Sequence, residues 1–314
     1  MELKAMASDF FLKFDSFDGF LAHKLDHDFL KFGHDFDRVG DALTDLFSEN
    51  LKFDEHKVAI DFKHDTEQIA FDFIKLGFDT LKLDDVLHKF DDVILKYADQ
   101  TPTIGSFAET GGDGGALKLS DDFIKLDTDF QAASFEAIKL GVDTLKLHVS
   151  GEGANDSFIK WAGDLSDFST GLHKVGDDFQ KVGEDFLKLG DLKGSETIDE
   201  AFIKLGGGAL KVSDDLHKVS DDFLKIATDI TGSQDNFGAL KIDQIALKFG
   251  DDFHKLDADL HKLNTDVGAL GDDYIKLAGA LTGHGGNQGG GTTTTSDSDA
   301  LHQLLQHAHD FSLL

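Results

Sequence analysis

The chain has 314 residues, enough for a sizeable core in one large domain or two, and its 40% apolar content is too high for a disordered polyanion. Sixty acidic against thirty basic residues give a net charge of −30, which repels phosphate backbones and anionic headgroups, so no nucleic acid and no bare lipid surface is expected as a partner. The lack of cysteine removes disulfides, thiolate metal sites and thiol catalysis together.

The opening stretch MELKAMASDFFLKF has Glu2 where a Sec leader carries basic residues, and it lacks the apolar run of about 7–15 residues that such a leader needs. No window approaches the roughly 18 apolar residues of a transmembrane helix, so no integral membrane segment is expected. Instead the chain settles into a seven-residue phrase: acids, then an apolar residue, Lys and Leu. A first helix is predicted over about 8–48, where Phe29, Phe32, Phe36, Val39, Leu43 and Leu46 fall alternately three and four apart. A second is predicted over about 50–98. The segment DQTPTIGSFAETGGDGG, with the single proline, Pro102, then breaks the phase. The third helix, about 115–148, carries Phe123, Leu126, Phe130, Ala133, Ala137 and Leu140. The fourth, about 157–191, carries Leu172, Val175, Phe179, Val182, Phe186 and Leu189. The fifth, about 197–231, has Leu216, Val219, Phe223 and Ile226. The sixth, about 236–282, runs Phe253, Leu256, Leu260, Leu263, Val267, Leu270, Tyr274 and Leu277. A short seventh is predicted over about 299–312.

These apolar residues occupy heptad positions a and d. A strand alternates with period two and cannot hold phase through a seven-residue repeat, so the fold class is all-α. Position b is often apolar as well (Ile74, Ile124, Ile138, Leu224), and e is often Gly, as at Gly33, Gly77, Gly141, Gly183, Gly206, Gly250 and Gly271. Together d, a, e and b span about 160° of the helix circumference. A two-stranded coil needs only the a/d stripe, so each helix is expected to touch at least two neighbours in an elongated bundle of antiparallel helices. Helices left at the ends of the set would offer unsatisfied arcs to other copies. A mid-helix Gly costs about 1 kcal/mol relative to Ala, which implies a tight backbone contact at e unless duplication simply copied the residue. Lys dominates position c, with acids at f and g, and these charges are expected to form a solvated outer face.

The chain divides into an N-terminal helical hairpin (1–98), a linker (99–114), a four-helix repeat portion (115–282), a Gly/Thr-rich linker (283–298) and an amphipathic tail (299–314). GALKLSDDFIKL, GALKVSDDLHKV and GALKIDQIALKF point to growth by duplication. The tail, ALHQLLQHAHDFSLL behind TGHGGNQGGGTTTTSDSD, resembles the C-termini of type I secretion substrates. That resemblance implies an uncleaved export signal and the type I secretion machinery as a partner. The Gly-rich calcium repeats usual in such substrates are missing, and GGDGG at 111–115 does not supply them.

No nucleophile elbow, phosphate loop, dinucleotide fingerprint, zinc-protease motif or EF-hand loop occurs, so no catalytic residue, cofactor site or metal site is assigned. Asp-x-x-His recurs at Asp85/His88, Asp214/His217 and Asp251/His254, and fails at Ala258/His261. That spacing supplies ligands in di-iron bundles when it points inward, but here it lies at f and b, outside or at the edge of the core. His302, His307 and His309 offer weak chelation in the tail. Trp161, at d, reads as core. The expected function is non-enzymatic: a structural or self-associating helical protein exported to the bacterial surface or extracellular matrix, acting through homo-oligomers or filaments. The alternatives are a secreted helical pore-former and an intracellular granule coat, the latter from a resemblance to phasins in the Phe- and Lys-containing helices.

Overall fold

The computed structural model describes residues 2–48, 55–100, 115–147, 154–191, 196–232 and 242–281. They form six helices and no strand: α1 (Glu2–Ser48), α2 (Glu55–Gln100), α3 (Gly115–Thr144), α4 (Ala154–Gly190), α5 (Glu196–Gly232) and α6 (Ile242–Leu281). The short helix expected at 299–312 and the linker around Pro102 lie outside the described residues. At about 1.5 Å per residue, helices of 30–47 residues run about 45–70 Å, so the bundle is elongated. Local chemistry agrees with the ends. Asp156 opens α4 and Glu196 and Asp199 open α5 where the helix dipole favours acids, and Lys188 closes α4. The exit of α3 tightens through Lys146 N–H to Asp143 O (3.0 Å) and Leu147 N–H to Thr144 O (3.1 Å).

Each helix packs on the one before and the one after it, and α6 packs on α1. The bundle is therefore a closed ring with no end helices, which corrects the expectation that end helices present unsatisfied arcs to other copies. The two helices of the N-terminal hairpin are flanked on both sides by the rest: α1 by α6, α2 by α3. Rings from helices that are not neighbours meet inside. Phe29 of α1 lies 6.4 Å from Phe179 of α4, and Phe73 of α2 lies 5.8 Å from Phe168 of α4 and 6.3 Å from Phe223 of α5. The barrel is filled. Trp161 is buried there as its d position implies, with Nε1 donating to Thr144 Oγ1 at 2.9 Å. Each fully buried Phe or Leu contributes about 1.5–3 kcal/mol, and this core carries the fold.

Neighbouring helices run antiparallel, which brings e against e on one flank and g against g on the other. The ring consequently alternates two kinds of seam. At α2/α3 and α4/α5 small residues meet, and at α6/α1 a Gly on one helix faces an Asp or Asn on the other: Gly33 faces Asn264, Gly40 Asp257 and Gly271 Asp26. A Cβ on Gly206 would stand 2.7 Å from the Gly183 carbonyl oxygen, and one on Gly141 would stand 2.6 Å from the Ala70 carbonyl oxygen. Ser213 Oγ donates to Gly176 O at 2.7 Å, and Ser169 and Ser220 each donate to the other's carbonyl at 2.8 and 2.9 Å. The tight contact expected at e is present, except at Gly250, where a Cβ would meet nothing within 4 Å. At α1/α2, α3/α4 and α5/α6 the g aspartates turn inward to the seam. Asp35, Asp72, Asp79, Asp143, Asp164, Asp178, Asp185, Asp215 and Asp222 are buried, which corrects the expectation that acids at g belong to a solvated face. On the wheel g adjoins d, so closing the ring covers it. Acids at f stay outside, as at Asp85, Asp214, Asp221 and Asp251.

Candidate functional sites on the seams

Lysine ladders hold the g/g seams together. Lys125 Nζ of α3 donates to Asp178 Oδ1 of α4 at 2.6 Å, and Lys118 reaches Asp185 at 3.0 Å. Lys262 of α6 reaches Asp215 of α5 at 2.6 Å, while Lys75 of α2 bonds Asp35 of α1. The second oxygens of Asp35, Asp164, Asp178 and Asp222 meet no donor. What faces them is a carboxyl from g of the neighbouring helix: Asp79, Asp143, Asp129 and Asp259 respectively. Such a pair cannot hold two full charges side by side, so its members split. Burial and then the facing Asp79 push Asp35 up to about 6. Against the upward push of burial, hydrogen bonds from Lys82 and Lys75 hold Asp79 below the usual carboxylate range. Burial and Asp143 likewise raise Asp164, and Lys146 and Lys160 hold Asp143 low.

The e/e seams also carry acids: Asp26 of α1 and Asp257 of α6 face Gly271 and Gly40, and burial raises both. Asp84 of α2 stands where the repeat places a small residue. Burial, reinforced by Asp127 of α3, pushes it up to about 8, although Gln131 Nε2 donates to it at 3.1 Å.

The outer faces of the small-residue seams differ sharply. Over α2/α3, position f holds Phe71, Phe78, Phe135 and Val142, all exposed, with Phe71 and Phe135 each 62% accessible. Ile74 and Ile138, half-buried, lie between them. The register that sets Gly77 against Ser134 and Gly141 against Ala70 places Phe78 level with Phe135, and Phe71 level with Val142. The patch therefore has an approximate local two-fold axis. The assignment of acids to f hides this patch at the level of sequence. The signal was present in AFDFIKLGFDTLKL and ASFEAIKLGVDTLKL, where aromatic and aliphatic residues replace acids at f.

Over α4/α5 the same face carries His173, Asp177 and His217, with one potential ligand atom from each within 4.8 Å of the others. His217 Nε2 is 3.2 Å from Asp177 Oδ1, and the two imidazole rings are 4.5 Å apart. Among the described residues this is the group of His and carboxylate side chains able to hold a metal ion. None of the Asp-x-x-His pairs forms it. Asp214 faces solvent while His217 takes its carboxylate from α4 instead, and Asp85 pairs with Lys89. Asp251, His254 and His88 are exposed, and His302, His307 and His309 lie outside the described residues. A cleft of about 300 Å³ between α1 and α2 is lined by Asp41, Asp45, Asp65, Asp72, His64 and Arg38, with Arg38 tied to Asp72 at 2.7 Å.

The fold and its seams define a closed up-and-down six-helix barrel with a filled interior. Compared with known protein families, with curated proteins and with solved structures, the chain matches none. Among the described residues no helix is long and apolar enough to cross a membrane.

Proposed function

We propose that the protein is a non-enzymatic structural component that associates with copies of itself through the apolar α2/α3 face, and that its tail directs export to the bacterial surface or extracellular matrix. The observation that carries this reading is the patch of Phe71, Phe78, Phe135 and Val142. Large apolar side chains gathered on one face of a body with net charge −30 mark an interaction surface. The occupant is a second copy of the chain, because an apolar patch meets its own counterpart about a two-fold axis with apolar surface on both sides, as in an isologous dimer. The export half of the reading rests on the composition of the tail alone.

Sedimentation of the full chain across a concentration series tests the association. A concentration-dependent dimer is expected, and the pair Phe71→Asp with Phe135→Asp, both on the outside, abolishes it without loss of helicity. A strictly monomeric chain at high concentration contradicts the reading. Deleting 299–314 leaves the dimer unchanged if the face belongs to a second copy; association that appears only after the deletion shows that the tail covers it. The same exposed rings also favour a coat on apolar granules. Fractionation of a native culture separates the two: protein in the medium or at the surface supports export, and protein confined to washed cells with granules supports the coat. Leakage of liposomes on addition of the protein would point instead to the pore-former.

A further inference from the structure

We infer that His173, Asp177 and His217 form a binding site for a divalent transition-metal ion of the zinc type, which clamps α4 to α5 across their outer groove. The inference is independent of the self-association reading, since it concerns a different seam. His173 and Asp177 are four apart on α4 and so share one face of the helix. His217 reaches them from the b position of α5, an antiparallel neighbour. The e-position glycine makes the approach possible, because a Cβ on Gly176 would stand 2.9 Å from His217 Nε2. Two imidazoles and one carboxylate, one ligand atom each within 4.8 Å of the others, make a donor set suited to zinc, cobalt or nickel; calcium and magnesium prefer oxygen alone.

Closure to metal–ligand distances of about 2.0–2.2 Å needs only a small inward rotation of the side chains. His173 is exposed and can make it. His217 and Asp177 are already within 3.2 Å of each other. Water supplies the remaining coordination, since the groove is open on the His173 side. The ligands come from two helices, so metal binding adds to the stability of the folded chain by linkage.

The test is a titration of the full-length protein with Co²⁺ and with Zn²⁺, read by the visible absorption of bound Co²⁺ and by calorimetry. One tight equivalent is expected, together with a rise in melting temperature on addition of Zn²⁺. His173→Ala, Asp177→Asn and His217→Ala each weaken that equivalent by about tenfold or more. Triple replacement His302→Gln, His307→Gln and His309→Gln leaves it in place. His173→Ala touches an exposed side chain, so it reports on binding even if His217→Ala proves unstable. No saturable equivalent, or one that survives His173→Ala and Asp177→Asn but is lost with the tail histidines, overturns the inference.

Discussion

The α4/α5 and α3/α4 seams lie on opposite flanks of the same helix, yet they are built from different chemistry. At α4/α5, Gly183 and Gly206 let two backbones touch and Ser169 and Ser220 exchange hydrogen bonds. At α3/α4, buried Asp178 and Asp185 accept from Lys125 and Lys118, whose stems span the wider gap. The difference follows from topology. In an antiparallel ring e always meets e and g always meets g, so a single repeated phrase with Gly or Ser at e and Asp at g makes two kinds of contact by itself. Such a ring closes only with an even number of helices, because an odd one would force an e flank onto a g flank. Six satisfies this.

The sharpest way to break the comparison is to place bulk in a small-residue seam. Gly206→Leu puts a Cβ 2.7 Å from the Gly183 carbonyl oxygen and 2.9 Å from the Leu187 Cγ. With backbone on the other side unable to yield, the substitution is expected to cost about 3 kcal/mol in urea denaturation, the upper end for overpacking. A smaller loss is expected at a charged seam. Asp178→Ala removes the acceptor of Lys125 and Lys181, but both lysines are 40% or more exposed and can return to water. The cost is about 1.5–3 kcal/mol by the same measurement, whereas Asp221→Ala on the outer f position changes stability by less than about 0.5 kcal/mol.

Asp84 adds a pH dependence that reaches higher than that of Asp35 in a charged seam. Its folded carboxyl is pushed up to about 8, above the unfolded value of about 4, so the stability it contributes is whole below pH about 4 and is lost progressively as pH rises to about 8. Asp84→Asn is expected to lessen the fall of denaturation midpoints across that window, most clearly between pH about 6 and 8 where Asp35 no longer contributes, and to stabilise the protein at pH 8 by about 1–3 kcal/mol. A modest effect has the opposite sign to the first. Gly163 lies within α4 with nothing within 4 Å of a built Cβ, so Gly163→Ala gains up to about 1 kcal/mol of helix propensity. Glycine is costly where it is open and indispensable where it is crossed.

Much of the fold is legible in the chain. The three-and-four spacing of Phe29 to Leu43 and of Phe253 to Leu277 identifies the helices and their inward residues, because a period of 3.5 admits one wheel orientation. The ring closure is not legible, because the same arc serves an open sheet of helices and a closed barrel alike. Which of these forms depends on α1 meeting α6 from opposite ends of the chain. The burial of Asp35 and Asp178 escapes for a related reason: an acid three before a basic residue, as Asp35 is before Arg38 and Asp178 before Lys181, reads equally well as a surface pair within one helix. As for the candidate sites, His173 and Asp177 share a face by spacing alone. His217 joins them only through the α4/α5 register, which no local pattern encodes.

Closure between α1 and α6 is most directly tested by a cross-link. The chain contains no cysteine, so Asp37→Cys with His261→Cys introduces the only two thiols, at positions whose native side chains stand 3.2 Å apart. A short bifunctional thiol reagent should join them within one chain, in a yield that dilution does not change. A product formed only between chains, or none while the protein remains helical, contradicts the closed ring and with it the alternation of seams.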